Sequence, residues 1–171
     1  MSVIDEAVKA AETYARSFSL GELAMPPARK LVVVACMDAR LTVEKVLGLN
    51  TGDAHVIRNA GGIFTEDALR SVLISHYLLG TKELMFIHHT DCGMLTFKDE
   101  DLATKLRQKS GTATVVPSAF HAFPNLEDDL ARQMEKARAH PWMPKDMPIR
   151  GFVYDVKTGK LSEVRRGAAK A

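Results

Sequence analysis

Two cysteines and one histidine carry the most telling chemistry in this 171-residue chain. Cys36 closes the run "VVVAC" and is followed by Asp38 and Arg40, in the spacing C-x-D-x-R. His89 and Cys92, spaced H-x-x-C, follow a second apolar run. Thiolate and imidazole are soft and borderline metal donors. Two of the first with one of the second make a tetrahedral zinc site with its fourth position free, the mark of a catalytic zinc. Plainer readings exist for each residue. A strand-end cysteine is often core, a Cys36–Cys92 bridge is conceivable, Cys36 could be a nucleophile, and a lone H-x-x-C says little. The conjunction of both cysteines with a histidine at strand ends puts a metal site ahead of these alternatives without eliminating them. Asp38 and Arg40 could form an ordinary surface ion pair, worth little. Beside an open metal they do more. The carboxylate either hydrogen-bonds the bound water or takes the fourth position itself, and a bidentate arginine holds it away from the metal.

Positioning these residues requires strands that end at the same edge. "LVVVACM" is short, apolar and β-branched, as suits a strand buried on both faces of a parallel sheet. "DAHVIRNA" and "ELMFIHH" predict two more strands. Between them, Thr65 caps a helix carrying Ala68, Leu69, Val72 and Leu73 on one face, with Gly80 at its end. An amphipathic first helix is expected over about 2–18, with Ser2 and Asp5 as a capping pair. Short helices are expected in "LTVEKVLGL" and over 101–109. A longer one follows Asn125, with Leu126, Leu130, Met134 and Ala137 along one side. "IRGFVYDV" and "LSEV" read as a terminal hairpin. The order α-β-α-β-α-β-α-α-β-β predicts one α/β domain spanning residues 1–171. Its sheet is expected to have four mainly parallel strands and an antiparallel C-terminal edge strand, flanked by helices. Ligands in such folds bind beyond the carboxyl ends of the strands, where Cys36, His89 and Cys92 lie. Strand alternation turns His88 to the face opposite His89.

Composition narrows the function classes. Apolar residues make up 46% and charged residues 26%, ordinary for a globular domain. A net charge of +2 gives no broad footprint for nucleic acid or membrane, and the basic tail Arg165, Arg166 and Lys170 reads as a solvated end. With no signal peptide or spanning segment visible, the expected compartment is the cytoplasm, where disulfides are rare.

"CMDAR" together with "HHTDC" resembles the β-class carbonic anhydrases, in particular their short bacterial and actinobacterial branch. "RNAGG", Arg58 to Gly62, matches the family segment between the two halves of the motif. The resemblance implies Cys36, His89 and Cys92 as ligands of one zinc ion per chain, and Asp38 with Arg40 as the catalytic dyad. It implies reversible hydration of CO2 to bicarbonate and a proton by zinc-bound hydroxide. It also implies a homodimer or homotetramer, with the N-terminal helix packing on a partner protomer. Asn59, Ala60, Gly61, Gly62 and Gly93 are candidates for the substrate pocket. Ala39 stands where the family often has serine. The same motifs fit a hydrolase of carbonyl sulfide or carbon disulfide, linear apolar analogues of CO2, or a noncatalytic zinc module. The proton shuttle is open: His55, His76, His88, His121 and His140 qualify by residue type only.

Overall fold

A continuous β-branched run has no polar face to offer solvent, so both of its faces must be covered. The computed structural model, which describes residues 1–113, 117 and 119–164, covers them with helices. The chain runs α1 (Val3–Arg16), β1 (Leu31–Cys36), α2 (Val43–Leu47), β2 (Ala54–Asn59), α3 (Glu66–Tyr77), β3 (Glu83–His89), α4 (Asp99–Ser110), α5 (Leu126–Ala139), β4 (Ile149–Tyr154) and β5 (Leu161–Glu163). The sheet order is β2-β1-β3-β4-β5. The first four strands are mutually parallel, and β5 pairs antiparallel with β4 at the edge. This is the expected architecture.

Val32 and Val34 on one face of β1 pack with Phe64, Val72, Phe86 and Leu130. Val33 and Ala35 on the other join Leu41, Val43, Ile63 and Ile87, and this second cluster also holds Cys36 and Cys92. The caps follow the sequence signals. Thr65 accepts the Ala68 N–H, and Asn125 accepts those of Glu127 and Asp128. Ser2 and Asp5 form a reciprocal capping box.

Boundaries shift slightly. α1 stops at Arg16, short of 18, and α4 begins at Asp99 rather than 101. α3 ends at Tyr77. Gly80 lies past its end at φ +75°, and its N–H bonds the His76 carbonyl. The basic tail lies outside the described residues, as do positions 114–116 and 118 of the loop before α5. Among the described residues, no helix is long and apolar enough to cross a membrane. α1 is well capped, yet every one of its residues is exposed.

Candidate metal centre

The parallel register sets the site. β1 pairs with β3 from Leu31↔Glu83 to Ala35↔Ile87, so the two strands end together and carry Cys36 and His89 to the same edge of the sheet. Cys36↔Asn59 closes the pairing with β2. After β3, the Thr90 N–H bonds the Tyr154 carbonyl, and its Oγ1 accepts the Val156 N–H. This anchors the loop that returns Cys92 to the strand ends. One donor atom from each of Cys36, His89 and Cys92 then lies within 4.8 Å of the others. All three residues are buried, and both thiols are free.

The imidazole is preset as a ligand. His89 Nδ1 lies 2.9 Å from the Thr90 carbonyl oxygen. A carbonyl only accepts, so Nδ1 carries the proton and Nε2 presents a lone pair. That buried Nε2 has no hydrogen-bond partner, and the Asp38 carboxylate at 3.7 Å is too far to be one. A cation between the sulfurs and this nitrogen satisfies all three at once, so the donor set fits zinc.

The thiols are primed as well. A hydrogen bond from the Cys92 thiol lowers the Cys36 pKa to about 4 against the effect of burial, helped by His89 and the N–H groups of Asp38 and Gly61. Cys92 is pushed up because its proton is held by the Cys36 sulfur, and burial adds to this. The pair therefore competes for one proton, which favours a single thiolate between the two sulfurs. Burial opposes charging His89, but the neighbouring Cys36 thiolate outweighs it and the net shift is upward.

Asp38 sits at the rim. Arg40 grips it in a fork, Nε to Oδ1 at 3.0 Å and Nη2 to Oδ2 at 2.8 Å. The Arg40 N–H also bonds Oδ1 at 2.8 Å. These bonds hold the Asp38 carboxyl well below the usual carboxylate range, so it stays ionised. Arg58 braces the backbone from β2, donating to the carbonyls of Cys36 at 3.0 Å and Asp38 at 2.7 Å.

The five pocket candidates divide. Gly61 and Gly62 form a single 3-10 turn with Ala60, at φ +83° and +69°. A Cβ at Gly62 would lie 3.0 Å from the backbone of Ala35 and Cys36, and one at Gly61 would lie 3.1 Å from Met94. Only glycine permits so close an approach to β1. Asn59 closes this turn with its amide, bonding both the N–H and the carbonyl of Ile63. Ala60 and Gly93 are exposed. The N–H that reaches the Cys92 sulfur is that of Met94, one residue beyond Gly93.

Sequence reasoning missed three contacts. Asp91, in the loop between His89 and Cys92, binds Arg40. Asp129 of α5 accepts a hydrogen bond from His88 at 3.0 Å, on the face to which alternation assigned it. Asp99 accepts three N–H groups, from Phe120, His121 and Ala122. The Phe123 N–H then bonds the Met94 carbonyl, packing that ring into the cluster around the cysteines. A first-turn acid reads only as a helix-dipole partner, so nothing in the sequence marked this last role. Of the proton-shuttle candidates, His55 is bonded to Ser75, His76 to the Thr81 carbonyl and His140 to the Trp142 N–H.

Comparison with known proteins agrees with this geometry. The sequence model of the carbonic anhydrase family matches residues 31–161. The chain is 44% identical over 165 residues to beta-carbonic anhydrase 1 of Mycobacterium tuberculosis, covering 96% of this chain and 99% of that protein. The chain belongs to the β-carbonic anhydrase family. The crystal structure of the carbonic anhydrase from Streptococcus mutans superposes with a TM-score of 0.91 at 37% identity, covering 96% of this chain and 99% of that one. A relative in Acidithiobacillus thiooxidans, 35% identical over 82% of this chain and 79% of its own length, is named carbon disulfide hydrolase. Zinc is the family's metal, and Cys36, His89 and Cys92 form a group able to hold one such ion.

Proposed function

We propose that this protein catalyses the reversible hydration of CO2 to bicarbonate and a proton, with one zinc ion per chain held by Cys36, His89 and Cys92. The observation that carries the reading is the meeting of these three donors beside a carboxylate that Arg40 holds aside. A purely structural zinc has no need of that pair. Zinc bound there supplies Lewis acidity, which lowers the pKa of water from roughly 16 to about 7.

The chain's own residues do the rest. Asp38, ionised and fixed by Arg40, is placed to accept a hydrogen bond from the nucleophile and so to aim its lone pair at the substrate carbon. Arg40 keeps Asp38 from closing the fourth position. Gly61 and Gly62 let backbone line the pocket without side-chain bulk, and Asn59 braces them. Ala60 and Gly93 complete the rim.

A domain spanning residues 1–171 acts here as a homodimer or homotetramer, with α1 packed on a second copy. In support, Val3, Ile4, Val8, Tyr14 and Phe18 are exposed on or just after α1. A 14-residue helix with no core contact is marginal alone in water, so it needs a partner for that face. The face of α3 supplies a matching surface. With Trp142 it forms an open groove of about 960 Å³, lined by Leu69, Leu73, Ile74, Tyr77 and Leu78 and by none of the metal ligands. The cytoplasm suits two free thiols in the site.

The second reading keeps the site and changes the substrate to carbon disulfide or carbonyl sulfide, and the relative named carbon disulfide hydrolase favours it. Stopped-flow CO2 hydration run beside sulfide release, with metal analysis of the same sample, decides. The expected result is stoichiometric zinc and rapid CO2 turnover. Negligible CO2 turnover with fast sulfide release establishes the second reading, and protein that takes up no zinc rejects both.

A further inference from the structure

The guanidinium of Arg40 has a second client. Nη1 donates to Asp91 Oδ2 at 2.7 Å, and Nη2 donates to the Asp91 carbonyl at 2.9 Å. With the fork to Asp38, four of the five guanidinium N–H groups are committed. Asp91 adopts φ +55°, a left-handed conformation that aspartate and asparagine tolerate better than most residues. That turn presents both its carboxylate and its carbonyl to Arg40. Asp91 also sits between ligands His89 and Cys92, so Arg40 ties the loop after β1 to the loop after β3.

The division of labour between the two arginines is informative. Arg58 holds the carbonyls of Cys36 and Asp38, which fixes the backbone there. It does not fix where the Asp38 carboxylate points. Arg40 does, but its side chain is 46% exposed, so no enclosing wall sets its orientation. The contact that supplies an orientation from the far loop is Asp91.

We infer that Asp91 is a positioning residue: by clamping Arg40 from the opposite loop, it sets how far the Asp38 carboxylate stands from the fourth metal position. The inference rests on the metal-centre reading above. Without the Asp91 carboxylate, Oδ1 stays on the Arg40 N–H, but the guanidinium loosens its hold on Oδ2, and Asp38 competes more often for the metal.

Two variants test this. Asp91→Gly removes the carboxylate, and Asp91→Asn keeps an oxygen acceptor. Both residues accept the left-handed backbone, and both make the same change in charge, so their difference isolates the hydrogen bond. Each is prepared as the zinc enzyme and as the cobalt-substituted enzyme. At one fixed pH, zinc content, kcat/KM for CO2 hydration and thiocyanate affinity by cobalt absorption are measured. The expected result is full zinc content in both. The glycine variant should bind thiocyanate about three- to tenfold more weakly than the asparagine variant and show a similar loss in kcat/KM, the range for an exposed, charge-assisted contact. The asparagine variant should recover most of the wild-type kcat/KM. Equal thiocyanate affinity and equal kcat/KM in the two variants overturn the inference, as does a loss that merely tracks loss of zinc. Wild-type protein that takes up no metal overturns the metal-centre reading, and this inference with it.

Discussion

His88 and His89 are neighbours in β3, the same residue type and each only 1% exposed, yet they have opposite trades. Period-2 alternation sends them to opposite faces of the sheet. His88 Nε2 meets the Asp129 carboxylate at 3.0 Å, so that nitrogen carries the proton. His89 gives its proton to the Thr90 carbonyl from Nδ1, and its free Nε2 joins two sulfurs. Each ring has one buried nitrogen without a partner, Nδ1 in His88 and Nε2 in His89. Burial and an unpaired nitrogen therefore do not distinguish a ligand from a structural histidine. What does is the company kept. The His88 ring lies tilted beside Phe123 at 5.5 Å, and among the described residues it belongs to no group of three donors.

The first test sets the two histidines against each other. His89→Ala should cost more than the roughly 10–100-fold in metal affinity typical of losing an outer partner, and activity should fall with it. His88→Ala should keep one zinc per chain and lower thermal stability instead. Metal analysis and a thermal melt on both proteins check this. Equal zinc retention in the two would dissolve the distinction.

The next effect separates the metal from the group that works beside it. Asp38→Ala should leave zinc in place and reduce kcat/KM by about 10²–10⁴-fold, the usual worth of a positioned acid or base. Stopped-flow hydration with parallel metal analysis is the measurement. Kinetics that match the wild type would remove Asp38 from the mechanism.

How far the sequence revealed this contrast depends on distance along the chain. Alternation assigned His88 to the far face, and β-branched runs located the strands whose ends carry Cys36 and His89. These are local signals, and they survive in the fold because both faces of the sheet are buried. The partners are another matter. Arg40 meets Asp91 across 51 residues and His88 meets Asp129 across 41. No periodicity encodes such a meeting. By position Asp129 is one more acid in the first turn of α5, beside Glu127 and Asp128. Only packing shows it to be 2% exposed. The Asp99 carboxylate under Phe120, His121 and Ala122 was hidden in the same way. Residue type marked the chemistry, and topology marked the ends of strands, but the contacts that orient the charged groups came from loops and helices remote in sequence.

On the His88 face, Asp129→Ala should lower stability by about 3 kcal/mol or more, because it leaves a buried donor unpaired. Besides His88, Gln133 Nε2 donates to Asp129 at 3.1 Å, and Gln133 in turn accepts the Phe64 N–H. Zinc content at low temperature should be unchanged, since none of these residues supplies a ligand atom. Denaturant melts with metal analysis check both statements. Zinc lost in proportion to stability would mean that the two faces are one cooperative site.

The smallest effect concerns the exposed end of that network. Arg132 also binds Asp129, but its side chain is 59% exposed, so Arg132→Ala should cost only about 1 kcal/mol or less at neutral pH. Its signature is in the pH dependence. Burial raises the Asp129 pKa, but hydrogen bonds from His88 and Arg132 overcome this and the net shift is downward. A carboxylate depressed in the folded state adds stability above its unfolded pKa, near 4, and loses it as pH falls through the folded value. Removing Arg132 moves that folded value back up. The variant should therefore begin to lose stability at a higher pH on acidification, and wild type and variant should converge once Asp129 is protonated in both. Melts from pH 7 down through the carboxylate range read this directly. A gap that stays constant across the range would show that Arg132 does not act through the Asp129 carboxylate, leaving that role to His88 and Gln133.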